Sequence, residues 1–530
     1  MANKTQTIRI ESILGGMSDT DYYANADQFS FSLNIDPSVA VDSAGRPSNY
    51  GRPSGVMVPV ISSYSASVIN NAPLWMVPNP KDSLVYVYDY GGSVYSLSSL
   101  ALTNRGDLND GGSAQGNGAA YYDNYLYFSR STTVARYGPL DGTPSFTDDY
   151  WSSTLGKTAL TDTVYPVAQT TYVNIKLPNH ILHRHSDGKL YIADVVGNTG
   201  TLHYIKTRKT TVEGDTDDGS TYDKIHVGYG LWPTAMETYG DQMVIALFEG
   251  QSSFINPGVP AKLAFWDTVS EKVNIITLSE FPDTIITALI NVGGVLYIVS
   301  GTPTNTGFRL SRYVGGYSFE EVALFGNGYI PMAGAVYADA GRLFFGGRDT
   351  NAGACTYMYG LRSKKMGNGI FPLGTNSVVN GAITAVSPWP TTSQGYGLGV
   401  HPAYGLTDTF TPNYKIGANY VNSGTVDVFA RWQSQTYKIG RRFKITRIRI
   451  PFGGNLPSAV PFTVRVLTDN QENTFTLMQD LSGYVGKNVA SIQPNINVTG
   501  ENDFNLFLQF DDASFVVVFP ITIEYEIYDD

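Results

Sequence analysis

The sequence predicts an all-β protein: a β-propeller of about seven blades, an antiparallel β-sandwich after it, and an extended N-terminal arm before it. Three observations predict this. A turn-then-strand phrase returns at blade-sized intervals through the middle of the chain. The composition suits sheets and tight turns, with 55 Gly and 36 Tyr among 530 residues and only 15% charged residues. After about residue 424 the repeat stops and longer, closely spaced alternating strands take over.

Residues 1–71 come first. "IRIESILGG" has strand-like alternation, whereas "DPSVAVDSAGRPSNYGRPSGVMVP" is rich in Pro, Gly and Ser and reads as extended chain. An arm of this kind orders against a partner. The N-terminus lacks the apolar core of a secretory signal, and no run of about 18 apolar residues occurs, so no membrane span is expected.

Residues 72–424 carry the repeat. Its copies are "DSLVYVYD", "DNYLYFSR", "GKLYIADV", "DQMVIALF", "GGVLYIVS", "GRLFFGGR" and a weaker "QGYGLGVH". The anchors are Val85, Leu126, Leu190, Met243, Leu296, Leu343 and Tyr396, with gaps of 41, 64, 53, 53, 47 and 53 residues. A second run follows most anchors, as in "TLHYIKTR" and "FRLSRYVG". A shorter run precedes them, as in "GNGAAYYD", "TAMETYGD", "ITALINVG" and "MAGAVYAD". A four-stranded sheet cannot bury both its faces alone, but sheets packed face to face in a ring cover one another. The small residues Gly116, Gly118, Ala119, Ala120, Ala333, Gly334 and Ala335 suit the crowded innermost strand, and the anchor run suits a fully buried second strand. Six or eight blades, or one large β-sandwich, are the alternatives. Residues 425–530 form the last unit. Phe443, Ile445, Ile448 and Ile450 alternate with a slip at Arg447, the pattern of a half-buried antiparallel strand.

Several residues invite chemical readings. "NHILHRH" brings together His180, His183 and His185; on a strand the last two share a face, with His203 and His226 as contributors from nearby strands. A metal would need a third ligand and an open position. Around Asp215, Asp217 and Asp218, Gly219 stands one place too early for a calcium-binding EF-hand loop. Asp217, Gly219, Thr221 and Tyr222 partly match the Asp-box of sialidase-type propellers, in a single copy whose leading Ser is replaced by Asp215. Arg105, Gly106 and Asp107 spell an integrin-binding tripeptide, which three residues match easily by chance. Carboxyl pairs for glycoside hydrolysis could come from "TDDYW" (147–151), Glu213 or Glu320 and Glu321, but nothing in the sequence fixes two at the needed separation. Turn aromatics in "YDNYLYF", "TDDYW", "GLWP" and "SPWP" could stack on sugars or fill strand positions. Cys355 stands alone, so no disulfide forms within the chain. The net charge of −11 and the absence of a basic tract argue against nucleic-acid binding; the nearest basic segment, "KIGRRFKITRIRI", reads as a solvated strand face. No catalytic, cofactor-binding or metal-binding set emerges, and neither enzyme activity nor a cofactor is expected.

The words "IRIESILGGMSDTDYYANADQFSFSLNIDP", "APLWMVPNPKDSLVYVY", "HYIKTRKTTVEGDTDDGSTYD" and "RRFKITRIRIPF" together resemble virion structural proteins of tailed bacteriophages. The resemblance implies a propeller-bearing component of the tail tube or nozzle that assembles with copies of itself and with other virion proteins. It brings no catalytic residues. Binding of a host-surface glycan, as a tail adhesin, is the alternative, and a polysaccharide-cleaving propeller the third. The implied location is the virion, assembled in the host cytoplasm.

Overall fold

The computed structural model describes residues 5–17, 28–33, 35, 37, 57, 61–64, 69, 73–82, 84–89, 91–98, 101–108, 118–129, 134–151, 181–196, 199–205, 212–213, 225–251, 254–255, 259–302, 308–325, 330–331, 333–339, 342–349, 353–360, 370–373, 382–388, 396–401, 415–420, 430–456, 462–469, 477–493, 498–510 and 516–528. Among these residues the regular structure is strand, apart from two 3-10 turns at Ala333–Ala335 and Ser482–Tyr484.

The middle of the chain makes a succession of antiparallel sheets, most of them four-stranded. The first is Pro73–Pro78, Val85–Asp89, Ser93–Ser98 and Ala101–Asp107. The second is Ala119–Tyr122, Tyr125–Ser129, Val134–Gly138 and Ser145–Trp151. The third is Ile181–Arg184, Leu190–Val196 and Thr199–Ile205, with Val212–Glu213 and Ile225–Tyr229 both paired to the last of these. The fourth is Leu231–Tyr239, Gln242–Gln251, Lys262–Trp266 and Asn274–Thr277, with Phe254–Ile255 folded back on the second strand. The fifth is Ile285–Val292, Val295–Gly301, Phe308–Gly315 and Ser318–Phe325. The sixth is Val336–Asp339, Arg342–Asp349, Gly353–Gly360 and Ile370–Leu373. The seventh is Ala382–Pro388, Tyr396–His401 and Lys415–Tyr420, completed by Ile61–Tyr64 from far upstream.

Every repeat anchor lies in the second strand of its sheet. Val85, Leu126, Leu190, Met243, Leu296 and Leu343 are all fully buried, and Tyr396 opens its strand. The turns that introduce these strands explain the returning phrase. Asp82 accepts from the amide of Leu84 (2.9 Å) and the hydroxyl of Tyr86 (3.2 Å). Asp187 does the same with Lys189 (3.1 Å) and Tyr191 (2.7 Å). An Asp followed four residues later by Tyr thus closes the turn and ties it to the next strand.

The first strand of each sheet packs against the first strand of the next in chain order, and that of the seventh packs against that of the first. Apolar layers fill the spaces between sheets, for example Tyr88, Leu126 and Phe128 between the first and second and Val244, Ile286 and Ile298 between the fourth and fifth. A Thr-Ala pair recurs in three first strands. Thr234 Oγ1 donates to the Ile286 carbonyl at 2.5 Å, Thr287 to that of Pro331 at 2.5 Å, and Thr384 to that of Pro73 at 2.6 Å. Each sits where the pairing register slips, so the bulge turns the hydroxyl toward the neighbouring sheet. Two close approaches demand glycine. A Cβ on Gly334 would lie 2.1 Å from the Leu74 carbonyl, and one on Gly346 would lie 2.3 Å from that of Ile383.

Two further sheets share one core. One runs Thr5–Ile10, Ile521–Ile527, Phe443–Pro451 and Val489–Ile492, with Val498–Gly500 also on Phe443–Pro451. The other runs Gly16–Met17, Gln28–Leu33, Ala430–Ser434, Asp503–Phe510, Phe462–Thr468 and Leu477–Asp480, with Tyr437–Lys438 on Asp503–Phe510. Phe443, Ile445, Ile448 and Ile450 all point into this core, and the bulge against Ile521–Ile527 falls at Thr446, one residue before the slip expected at Arg447, which pairs with Glu524. The core is continuous with the sixth and seventh sheets through Phe344, Phe371, Ile383 and Val386, and Phe29 meets Phe371 with ring centroids 5.5 Å apart.

The N-terminal segment departs from the expected arm. Thr5–Ile10 pairs in register with Ile521–Ile527, and Gln28–Leu33 pairs with Ala430–Ser434. Within 1–71 the described strands are therefore integral parts of sheets. The reason is apolar alternation: Ile10 and Phe29 are 2% and 0% exposed, which only a partner sheet makes possible.

Candidate functional site

The first strands of six sheets converge on a cavity of about 450 Å³. Pro73–Pro78, Ala119–Tyr122, Ile181–Arg184, Leu231–Tyr239, Ile285–Val292 and the stretch 333–338 contribute to its wall. Small residues (Ala119, Ala120, Ala235, Ala338) keep it open, as expected where strands crowd together. Trp75, Tyr121 and Tyr337 add aromatic surface, and His183, Arg184 and Glu237 add polar chemistry.

Glu237 and Thr238 link three sheets. Glu237 Oε1 accepts from the Thr238 amide at 2.8 Å. Asn291 Nδ2, on the fifth sheet, donates to the Thr238 carbonyl at 2.8 Å. The Thr238 hydroxyl lies 2.8 Å from His183 Nε2 and 3.0 Å from His185 Nδ1 on the third sheet. It can donate to one imidazole and accept from the other, which satisfies all three groups with both rings neutral. Electrostatics agree. Burial first, and then the neighbouring His185, push the His183 imidazole down to about 4. Burial also lowers His185, with Asp187 and Asp241 acting against it. Burial raises the Glu237 carboxyl to about 7, opposed by the Thr238 and Asn291 amides.

His183 and His185 meet through Thr238. His226 is exposed on the outermost strand of the third sheet, beside Thr201, and His203 pairs with Ile192 inside that sheet. Among the described residues no three His, Cys, Asp or Glu side chains gather around a point. His180, Asp215, Asp217, Asp218, Gly219, Thr221 and Tyr222 lie outside the described residues, and Glu213 ends the strand Val212–Glu213. Arg105 donates to Ser96 Oγ at 2.7 Å, and Gly106 packs against Phe146, so the Arg-Gly-Asp tripeptide lies in a strand. Glu320 is bonded to Arg312 and Glu321 to Arg309, which also binds the buried Asp283 at 3.1 Å. In "TDDYW", Tyr150 is buried with its ring 4.1 Å from the Arg136 guanidinium. Trp232 of "GLWP" is 1% exposed, a core residue, whereas Tyr229 and Tyr317 are 79% and 62% exposed. In the basic segment, Arg447 faces Glu524 at 3.6 Å, so opposite charges share that sheet face. Cys355 lies on Gly353–Gly360. No helix among the described residues is long and apolar enough to cross a membrane.

Glu237 was missed from sequence. Its one signal is a charge inside an otherwise small and apolar first strand, "TAMETYG".

The geometry defines a nearly all-β chain of several four-stranded antiparallel sheets around a central cavity. No family model matches the sequence, and no curated protein matches it. Among solved structures, the computationally designed Ika8 protein aligns at 11% identity over 66% of this chain and 98% of its own, with a TM-score of 0.35. A structure of YCF48 bound to D1 peptide aligns at 8% identity over 69% of this chain and 97% of its own, with a TM-score of 0.39.

Proposed function

We propose that the seven successive sheets are the blades of a seven-bladed β-propeller, that the last two sheets form a β-sandwich fastened to it, and that this body is a rigid structural component of a tailed-bacteriophage virion. The part we assign is the tail tube or nozzle, with several copies set around the tail axis. One observation carries the scaffold reading: first-strand contacts run from sheet to sheet and return to the start, where Thr384 and Ile61–Tyr64 seal the seventh sheet. Sheets held on both faces have few soft modes, and a second unit sharing core residues with them moves as one piece with them. The virion assignment adds the resemblance in wording noted above.

The experiment is imaging of purified phage particles from a lysate of the encoding phage, with peptide mass spectrometry of the same fraction. The proposal expects peptides of this chain in the particles and tail density of matching shape. Peptides found only in the soluble fraction after particles are removed would overturn it. A second reading, adhesion to host glycans, draws on the exposed rings of Tyr229 and Tyr317. It expects binding on a glycan array that Tyr317→Ala abolishes.

A further inference from the structure

We propose that the central cavity binds a small organic cation carrying a primary ammonium group, with Glu237 as its counter-ion. Glu237 lines an opening of about 450 Å³, within the size range of small-molecule sites. Among the described residues, the groups acting on its carboxyl are the backbone amides of Thr238 and Asn291, and no charged side chain is one of them. A desolvated carboxylate without a cation is costly, and a ligand that supplies the cation removes that cost. The aromatic surface of Trp75, Tyr121 and Tyr337 suits the same ligand, because ammonium groups and their adjacent methylenes pack favourably on aromatic faces. A neutral saccharide would use the aromatic surface but would leave the carboxyl charge uncompensated.

The other titratable and charged groups on the surrounding strands are Tyr121 and Tyr122, His183 and Arg184, Tyr239, and Tyr337 and Asp339. His183 is neutral near pH 7 because burial holds it near 4. Among the described wall residues Arg184 is the cation; it is exposed to solvent, which screens it, and its field lowers the Tyr122 hydroxyl against the burial that raises it. Burial holds the Glu237 carboxyl near 7, so it must ionise for the cation to bind. Affinity therefore rises as pH rises from 6 to 8, by about tenfold, while an aliphatic amine stays protonated throughout.

The test is isothermal titration of the full chain with 1,4-diaminobutane at pH 6 and pH 8, with 1,4-butanediol and glucose as neutral controls. Saturable diamine binding at pH 8, about tenfold weaker at pH 6 and absent for both neutral compounds, is the expected result. Glu237→Gln should weaken diamine binding at pH 8 by at least about tenfold. No diamine binding at pH 8, equal binding of the diol or glucose, equal affinity at the two pH values, or undiminished binding by E237Q would each overturn the proposal. If E237Q fails to fold, the pH comparison and the neutral controls on the unaltered chain decide it.

Discussion

Replacing Thr384 by Val removes one hydroxyl while almost preserving side-chain shape, at the point where the seventh sheet meets the first. Thr384 is 6% exposed, and its Oγ1 donates to the Pro73 carbonyl at 2.6 Å. A net hydrogen bond is worth about 0.5–1.5 kcal/mol, and a buried acceptor left without a partner costs about 1–3 kcal/mol. Thr384→Val should therefore destabilise by about 1–3 kcal/mol. Thr234 and Thr287 make the same bond in two other interfaces. Thr234 binds the peptide carbonyl that leads into Thr287, so those two sites couple; Thr384 and Thr234 share no partner, and the Thr234→Val, Thr384→Val double variant should lose about 2–6 kcal/mol. Thr103, exposed on the outer strand Ala101–Asp107, is the control, and Thr103→Val should stay within about 0.5 kcal/mol. Urea unfolding followed by fluorescence of the buried Trp232 and Trp266 reads the relevant transition. A Thr384→Val midpoint indistinguishable from that of Thr103→Val would refute the idea that these hydroxyls lock sheet to sheet.

Other consequences can be measured directly. Gly346→Ala forces a methyl against the Ile383 carbonyl, and Gly334→Ala forces one against that of Leu74; overpacking of this kind should cost about 1–3 kcal/mol or more, seen as a lower Tm. The two imidazoles and Glu237 give opposite pH slopes. His183 and His185 have depressed values in the fold, so their contribution is complete above about 6.5 and is lost as pH falls below it, for His183 toward 4. Glu237 has a raised value, so its contribution is complete below about 4.5 and is lost as pH rises through 7; Glu237→Gln should flatten that limb and raise the Tm at pH 8 relative to the native chain. Deleting residues 1–71 should give aggregated protein, because two sheets lose paired strands and the seventh loses its fourth; a soluble variant with unchanged Tm would instead mark the segment as a dispensable arm.

What the sequence revealed follows from the range of the interactions. The second strands were legible because burial on both faces demands an unbroken apolar run behind a turn, as in Leu190–Ala193 and Leu296–Val299. Short-range turn chemistry, such as Asp187 with Tyr191, leaves a spaced signature. The pairing of Thr5–Ile10 with Ile521–Ile527 leaves none, since strand alternation states that a partner exists and not where it lies. Ile61–Tyr64, in a segment rich in Pro, Gly and Ser, was hidden for the same reason. The inner strand "AITAVSP" escaped notice although its Thr-Ala pair matches "PTAM" and "ITAL", because Thr in a strand is unremarkable until its hydroxyl is seen to cross to the next sheet. The cavity was legible as a place where small residues crowd; its chemistry was not, because one Glu among apolar neighbours carries no spacing rule.

The pairing of the earliest strands with the latest ones sets a timetable for biosynthesis. Ile61–Tyr64 must wait for Lys415–Tyr420 to leave the ribosome, and Thr5–Ile10 must wait for Ile521–Ile527. Sheets one to six can mature on the nascent chain, while Thr5–Ile10 and Ile61–Tyr64 stay unpaired until their late partners emerge. Such long-range closure is slow. During that interval the unpaired apolar strand Thr5–Ile10 is the part of the molecule most in need of a chaperone.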